Sequence, residues 1–240
     1  MQWTDDAIFL AARPHGETSV IAEVFTRQHG RRRALVRGGR GKRLRPALQP
    51  GNLLRVTWRG RLEEQLGSFT VEPIRLHAGR VIGDSFALAG LAVLVSDLHL
   101  LPERDAQPSL HDGALLIIDN LEDAEIWPAL LARFELQLLS DLGFGLDLSH
   151  CALTGTTEDL VWVSPKTGRA VSASAGVPWA DRLFPLPAFL REGGNPPPPP
   201  ADVRAALELT GHFIFRRLVE PAGGRMPVER QWILDGLSGA

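Results

Sequence analysis

Residues 19–45 read S-V-I-A-E-V-F-T-R-Q-H-G-R-R-R-A-L-V-R-G-G-R-G-K-R-L-R. They hold two runs of β-branched, aliphatic and aromatic residues, 19–25 and 34–36, parted by the turn signal His29-Gly30 and closed by Gly38-Gly39. Runs of this kind between glycine-marked turns predict β-strands. Working outward, run 7–12 lies before them and runs 53–58 and 66–74 after, with turn signals at His15-Gly16, Pro50-Gly51 and Arg59-Gly60. Five strands in about eighty residues predict a small β-barrel. Trp58 and Phe69 fall inside the last two runs and are expected in the barrel core; the alternative is that they are platforms on which bases stack.

The same stretch is strongly cationic. Arg27, Arg31, Arg32, Arg33, Arg37, Arg40, Lys42, Arg43 and Arg45 occupy positions 27–45 with no carboxylate among them. Like charges at that density repel unless a polyanion neutralises them, and the planar arginine fork suits phosphate oxygens. The alternative is a solvated basic face, but such faces usually mix both signs. Gly38, Gly39 and Gly41 let the loop backbone come close to a phosphate. A five-stranded barrel that binds oligonucleotides through strands and loops is an OB-fold. The predicted phosphate-contacting residues are therefore Arg31, Arg32, Arg33, Arg37, Arg40, Lys42, Arg43 and Arg45.

The net charge of −2 hides a segregation: residues 1–80 hold 15 Lys and Arg against 7 Asp and Glu, and residues 81–240 hold 11 against 21. The second part changes pattern as well as sign. Asp84-Ser85 reads as an N-cap before an apolar run that surrounds its helix, and further helices are expected over 110–121 and 126–142, the latter with Pro128 in its first turn and Gly143 and Gly145 past its end. Residues 160–163 and 170–172 flank the turn 164–168 and predict a hairpin. Prolines 196–200 predict a polyproline spacer of about 15 Å. Helices over 201–219 and 228–237 complete the chain. The expected fold is α+β and multidomain: a barrel domain over 1–80, then a helical domain over 81–240 interrupted by a β insert at 146–178. The 240 residues suffice for a core without disulfides, and the lone Cys151 excludes an internal one. The lone cysteine and the acidic start at Asp5 and Asp6 suit a chain that stays in a reducing compartment.

Catalytic signatures are missing. A phosphate loop would need glycine at Val36 and a hydroxyl at Arg43, and no nucleophile elbow or His-Glu-x-x-His pair occurs. Asp97 and His99 lie two apart on a helix and face different ways, and His150-Cys151 are adjacent, a poor geometry for a nucleophile and its base. No catalytic residue, metal or cofactor is expected. A nuclease would need a carboxylate cluster that the first eighty residues lack.

Four stretches resemble the RecO family of bacterial DNA-repair and recombination mediators: W-T-D-D-A-I-F-L-A-A-R-P-H-G-E-T-S at 3–19, L-V-R-G-G-R-G-K-R-L-R-P-A-L-Q-P-G-N at 35–52, R-F-E-L-Q-L-L-S-D-L-G-F-G-L-D-L at 133–148 and S-P-K-T-G-R-A-V at 164–171. The resemblance implies an N-terminal OB-fold, a helical domain and a zinc-ribbon-like insert. It further implies binding of single- and double-stranded DNA, strand annealing, work with RecR and with the C-terminal tail of single-stranded DNA-binding protein, and a place in the bacterial cytoplasm at the nucleoid. Arg133 is the candidate for receiving that tail, or else a member of a structural ion pair. Many members carry two cysteine pairs in the insert. Here Cys151 is followed by Thr154, and Ser172, Ala173, Ser174 and Ala175 stand where the second pair is expected, so the insert is expected to be metal-free and held by Val161, Trp162 and Val163. An RNA-binding OB-fold protein is the alternative.

Overall fold

The structure is a computed structural model that describes residues 1–192 and 197–238. Two compact units divide the chain, Met1–Glu122 and Asp123–Ala240.

In the first unit, β1 (Gln2–His15), β2 (Ser19–Thr26), β3 (Gly30–Val36), β4 (Leu53–Arg59) and β5 (Ser68–Arg75) close into a barrel in the order β1-β2-β3-β5-β4. All five expected strands are present. β1 begins five residues earlier than its apolar run because Gln2 to Asp6 pair with Arg59 to Arg55 of β4, where Thr4 meets Thr57 and Arg55 meets Asp6. Its other half pairs with β2, and an irregularity between Phe9 and Ala11 lets one long strand serve both neighbours. Four of the five strand contacts are antiparallel ladders; β3 and β5 share one parallel pairing, Leu35 with Ser68. Phe9, Val24, Val56, Trp58 and Phe69 fill the interior. Trp58 donates its indole N–H to the Leu66 carbonyl at 3.2 Å. Both aromatics are core, as expected, and neither offers a face to a base.

Two helices belong to this same unit, α1 (Ser85–Leu98) and α2 (Pro108–Asp119). The change of composition near residue 81 marks where strand gives way to helix; the division between contact units lies at 122/123 instead. Asp84 caps α1 by accepting from the amides of Phe86 and Ala87, and α1 buries most of its circumference, including Leu91, Val93, Leu94, Val95 and Leu98. α2 begins two residues before its apolar run because Pro108 supplies a preset first turn.

The second unit contains α3 (Trp127–Asp141), the hairpin β6 (Leu160–Val163) and β7 (Ala170–Ser172), the single turn α4 (Ala173–Gly176), β8 (Phe184–Pro185), α5 (Pro200–Ile214) and α6 (Glu229–Gly236). α5 runs into a π-helical turn, Phe215–Val219. The hairpin matches its expected residues, and β8 adds a third strand in the order β7-β6-β8. Val163 is buried, but Val161 faces outward, so the insert is not held by all three residues of that run. Of the expected polyproline spacer, Pro196 lies outside the described residues and Pro200 is the first residue of α5. Glu135 of α3 lies at 0% exposure and accepts two bonds from Arg230 of α6, at 2.7 and 2.9 Å, while Thr210 of α5 donates to the same carboxylate. That buried cluster fastens three helices together.

Candidate nucleic-acid interface

β3 alternates its side chains, and the alternation separates its three arginines. Arg32 points inward and is 6% exposed. Its guanidinium lies 5.8 Å from the Trp3 ring centre and donates to the His29 carbonyl at 3.0 Å and to Glu63 at 2.6 Å. Trp3 stacks on His29 from its own side, with ring centres 3.9 Å apart. Arg31 pairs with Glu23 and donates to the Leu101 carbonyl at 2.9 Å; Glu23 is the diagonal neighbour on β2, across from Arg33. Arg33 pairs with Glu103. Glu103 reaches the strand because residues 101–105 run along it, with the Arg104 amide donating to the Arg31 carbonyl at 3.0 Å. Gly30 permits the approach: at φ +66°, a β-carbon there would fall 2.1 Å from the Asp105 carbonyl oxygen. The assignment of Arg32 to phosphate contact is therefore corrected, and Arg31 and Arg33 could meet a phosphate only in competition with a carboxylate of the same chain. Each of the three is neutralised by such a carboxylate, and Arg32 is out of reach of any external strand.

The loop after β3 behaves otherwise. Its turns are closed by bonds from Gly41 to Gly38, Leu44 to Gly41 and Arg45 to Gly41, and Ala47 and Leu48 anchor it in the barrel core. Arg40 clips it to the β1–β2 hairpin through its amide on Thr18 and its guanidinium on the carbonyls of Gly16 and Glu17. Gly38 takes the turn at φ +69°. Arg37, Arg40, Lys42, Arg43 and Arg45 are all exposed, and none forms an ion pair among the described residues. The loop is thus a fixed, solvent-facing array of five cations. Elsewhere on the unit Arg27 pairs with Asp112, and that neighbour raises the guanidinium pKa further while lowering the carboxyl of Asp112. Arg75 and Arg80 are likewise taken, by Asp119 and Glu122.

Among the described residues Arg133 forms no ion pair. It donates to the carbonyls of Phe189 and Glu192, at 2.8 and 3.0 Å, and lies over the Phe189 ring. A cavity of about 260 Å³ is lined by Arg133 itself, Glu125, Ile126, Ala129, Leu130 and Phe189. The neighbouring Glu135, an obvious partner in the sequence, is instead bound to Arg230, 95 positions away.

The insert does not offer zinc a suitable donor set. Cys151 is buried, and its sulfur accepts from the amide and hydroxyl of Ser172 at 3.3 and 3.4 Å. Burial pushes its thiol up; the donors on Ser172, Thr154 and Leu153 outweigh that and bring it down to about 6. One sulfur, with hydroxyls that already donate to it, falls short of the four thiolate and imidazole ligands that hold structural zinc, and no group of three His, Cys, Asp or Glu side chains converges among the described residues. Nor does His150 act on the neighbouring Ser149 as a base. Ser149 gives its one hydroxyl proton to Asp147 at 2.7 Å, so the His150 Nδ1 contact at 2.7 Å requires the ring to donate to Ser149. His150 therefore has no role as a base toward that hydroxyl.

Comparison with known proteins adds the following. Two family descriptions match, Recombination protein O N terminal over residues 1–77 and Recombination protein O C terminal over residues 85–225. The protein named DNA repair protein RecO from Methylorubrum extorquens is 52% identical over 235 residues, covering 96% of this chain and 96% of its own length. The protein of that name from Methylobacterium nodulans is 53% identical over 235 residues, with 96% of each chain covered. That from Mesorhizobium japonicum is 49% identical over 237 residues, covering 99% of this chain and 94% of its own.

Proposed function

The chain belongs to the RecO family, and on that premise we propose that it is a DNA-repair and recombination mediator with no catalytic chemistry of its own. In this reading the barrel is an OB-fold that binds single- and double-stranded DNA and anneals complementary strands. With RecR, the protein helps load recombinase onto DNA coated by single-stranded DNA-binding protein, in the bacterial cytoplasm at the nucleoid. The observation that carries the reading is the clipped loop 37–45, whose five unpaired cations stand on a closed barrel. Cations of this kind displace the counterions condensed on DNA, and two strands drawn onto one basic surface repel each other less. Base pairing then drives annealing without nucleotide hydrolysis. The acidic tail of single-stranded DNA-binding protein would lie against the partly apolar cavity at Arg133, where Glu125 opposes it and the guanidinium is partly committed to backbone carbonyls. The insert is read as metal-free, so stoichiometric zinc in the purified protein would overturn that part.

The RNA-binding alternative draws no support beyond the barrel, because the family likeness extends through the helical part as well. The test is the salt dependence of oligonucleotide affinity. Five phosphate contacts imply a log–log slope near −4, at roughly 0.7–0.9 per contact. A flat response, or tighter binding to RNA than to matched DNA, would refute the assignment.

A further inference from the structure

An opening beside this loop has a different character. It is an apolar groove of about 740 Å³, within the range of pockets that bind ligands, walled by Pro50 after the loop, Leu76 and Ile82 after β5, and Leu88, Leu91 and Val95 of α1. Ile82 is 78% exposed, and Leu76 and Leu88 are also open to solvent. Arg45 is the one charged residue on its wall. The only polar side chain besides it, Gln49, already donates to the Arg45 carbonyl at 2.9 Å.

Three features select the occupant. First, the groove offers few hydrogen-bonding groups, so a nucleobase would leave its polar edges unpaired on entering, whereas aliphatic or aromatic side chains would lose nothing. Second, the one charge on the wall is positive, Arg45, which Lys42 and Arg43 precede in the loop, and the carboxylates that approach residues 75–82, Asp119 and Glu122, are held by Arg75 and Arg80. Third, the floor is one face of α1, Leu88, Leu91, Ala92 and Val95, spaced as the ridge against which another helix packs; the closed barrel has no strand edge to extend. We propose that this groove is the docking site for an amphipathic helix of a partner protein, apolar on the face it buries and carboxylate-bearing where it meets Arg45. The site is separate from the cavity at Arg133 and does not depend on the DNA reading of the loop.

The probe is a synthetic helical peptide with leucines at i, i+3, i+4 and i+7 and glutamates between them, labelled for anisotropy and titrated against the full chain. A lysine-for-glutamate copy serves as the control. Micromolar binding of the acidic peptide is expected, weaker by about tenfold or more in Ile82→Asp and for the lysine copy, and by about fivefold in Arg45→Glu, a tenfold loss being about 1.4 kcal/mol. Ile82 is exposed enough for its replacement to leave the fold intact, which circular dichroism verifies; Ile82→Lys, which adds the opposite charge, should also weaken binding. Several results would overturn the proposal: no binding of the acidic peptide, equal binding by Ile82→Asp, or equal binding of the lysine copy. A matching loss of oligonucleotide affinity in Ile82→Asp would make the groove a base site. Concentration-dependent self-association in light scattering that Ile82→Asp abolishes would make the occupant a second copy. Should loop 37–45 fail to bind DNA while the peptide still binds, the groove assignment stands alone.

Discussion

Only Ala34, Leu35 and Val36 separate Arg31, Arg32 and Arg33 from Arg37, in one stretch without a carboxylate, yet the two groups differ in burial and in partners. The strand arginines hold the protein to itself: one is buried under Trp3, and each has a carboxylate drawn from Glu23, Glu63 or Glu103. The loop cations face water from turns clipped by Arg40. The lesson is that charge density along a chain measures repulsion only until the fold supplies counter-charges from a distance. A strand lies against neighbours on both sides and recruits them, whereas a loop between turns has fewer neighbours to recruit.

The contrast between tied and free arginines can be broken at four places. The largest effect is expected at the most buried pair of all. Arg230→Ala leaves Glu135 uncompensated in the core of the second unit and should cost about 3–5 kcal/mol in urea unfolding. A change under 1 kcal/mol would show that Glu135 takes up a proton and needs no partner.

Replacing Arg37, Lys42, Arg43 and Arg45 together with alanine should weaken DNA binding about a hundredfold at low salt and flatten the salt slope by about 3, with little change in melting temperature. If stability collapses instead, the loop is structural and the comparison fails.

Arg32→Ala should do the opposite. It removes charge-assisted bonds from a buried site and should cost about 2 kcal/mol of stability, leaving the salt slope of DNA binding unchanged. Arg33→Ala, at a half-exposed pair, should cost no more than a few tenths. A DNA defect in Arg32→Ala at a temperature where it is fully folded would return the strand to the interface.

The smallest effect concerns pH. Arginine pairs do not titrate in the neutral range, but His77 and His111 are buried in the same unit, and desolvation holds both below the usual histidine value. A lowered folded-state pKa means stability that is complete above about 6.5, the unfolded value, and lost as pH falls through the folded one. Unfolding midpoints should therefore drop below pH 6.5, less steeply in His111→Gln than in wild type. A flat profile down to pH 5 would show that protonation meets a counter-charge.

Much of this architecture was legible from residue order. The five strand runs, the Asp84 cap, the proline-started helices and the 160–172 hairpin rest on local periodicity and turn chemistry, and each is present. What failed to show was non-local. The polar start of β1 is stable only because β4 answers it residue by residue; β8 is two residues long and has no period to detect; and Glu103 lies 70 positions from the arginine it neutralises. Of the eight arginine and lysine positions marked for phosphate, the five in the loop remain exposed, Arg32 is buried, and Arg31 and Arg33 are paired with carboxylates that a count over nineteen residues cannot see. The groove beside Arg45 had no signature, since its walls come from three segments that meet only after folding.

The ring of strands is not equally strong all the way round. Four joins are zipped by extended ladders, while the fifth, between β3 and β5, rests on one pairing and the neighbouring bond from the Leu35 amide to the Gly67 carbonyl. Arg32 on one side of that gap grips Glu63 on the other, so this guanidinium serves as a clasp where the cylinder would first come undone.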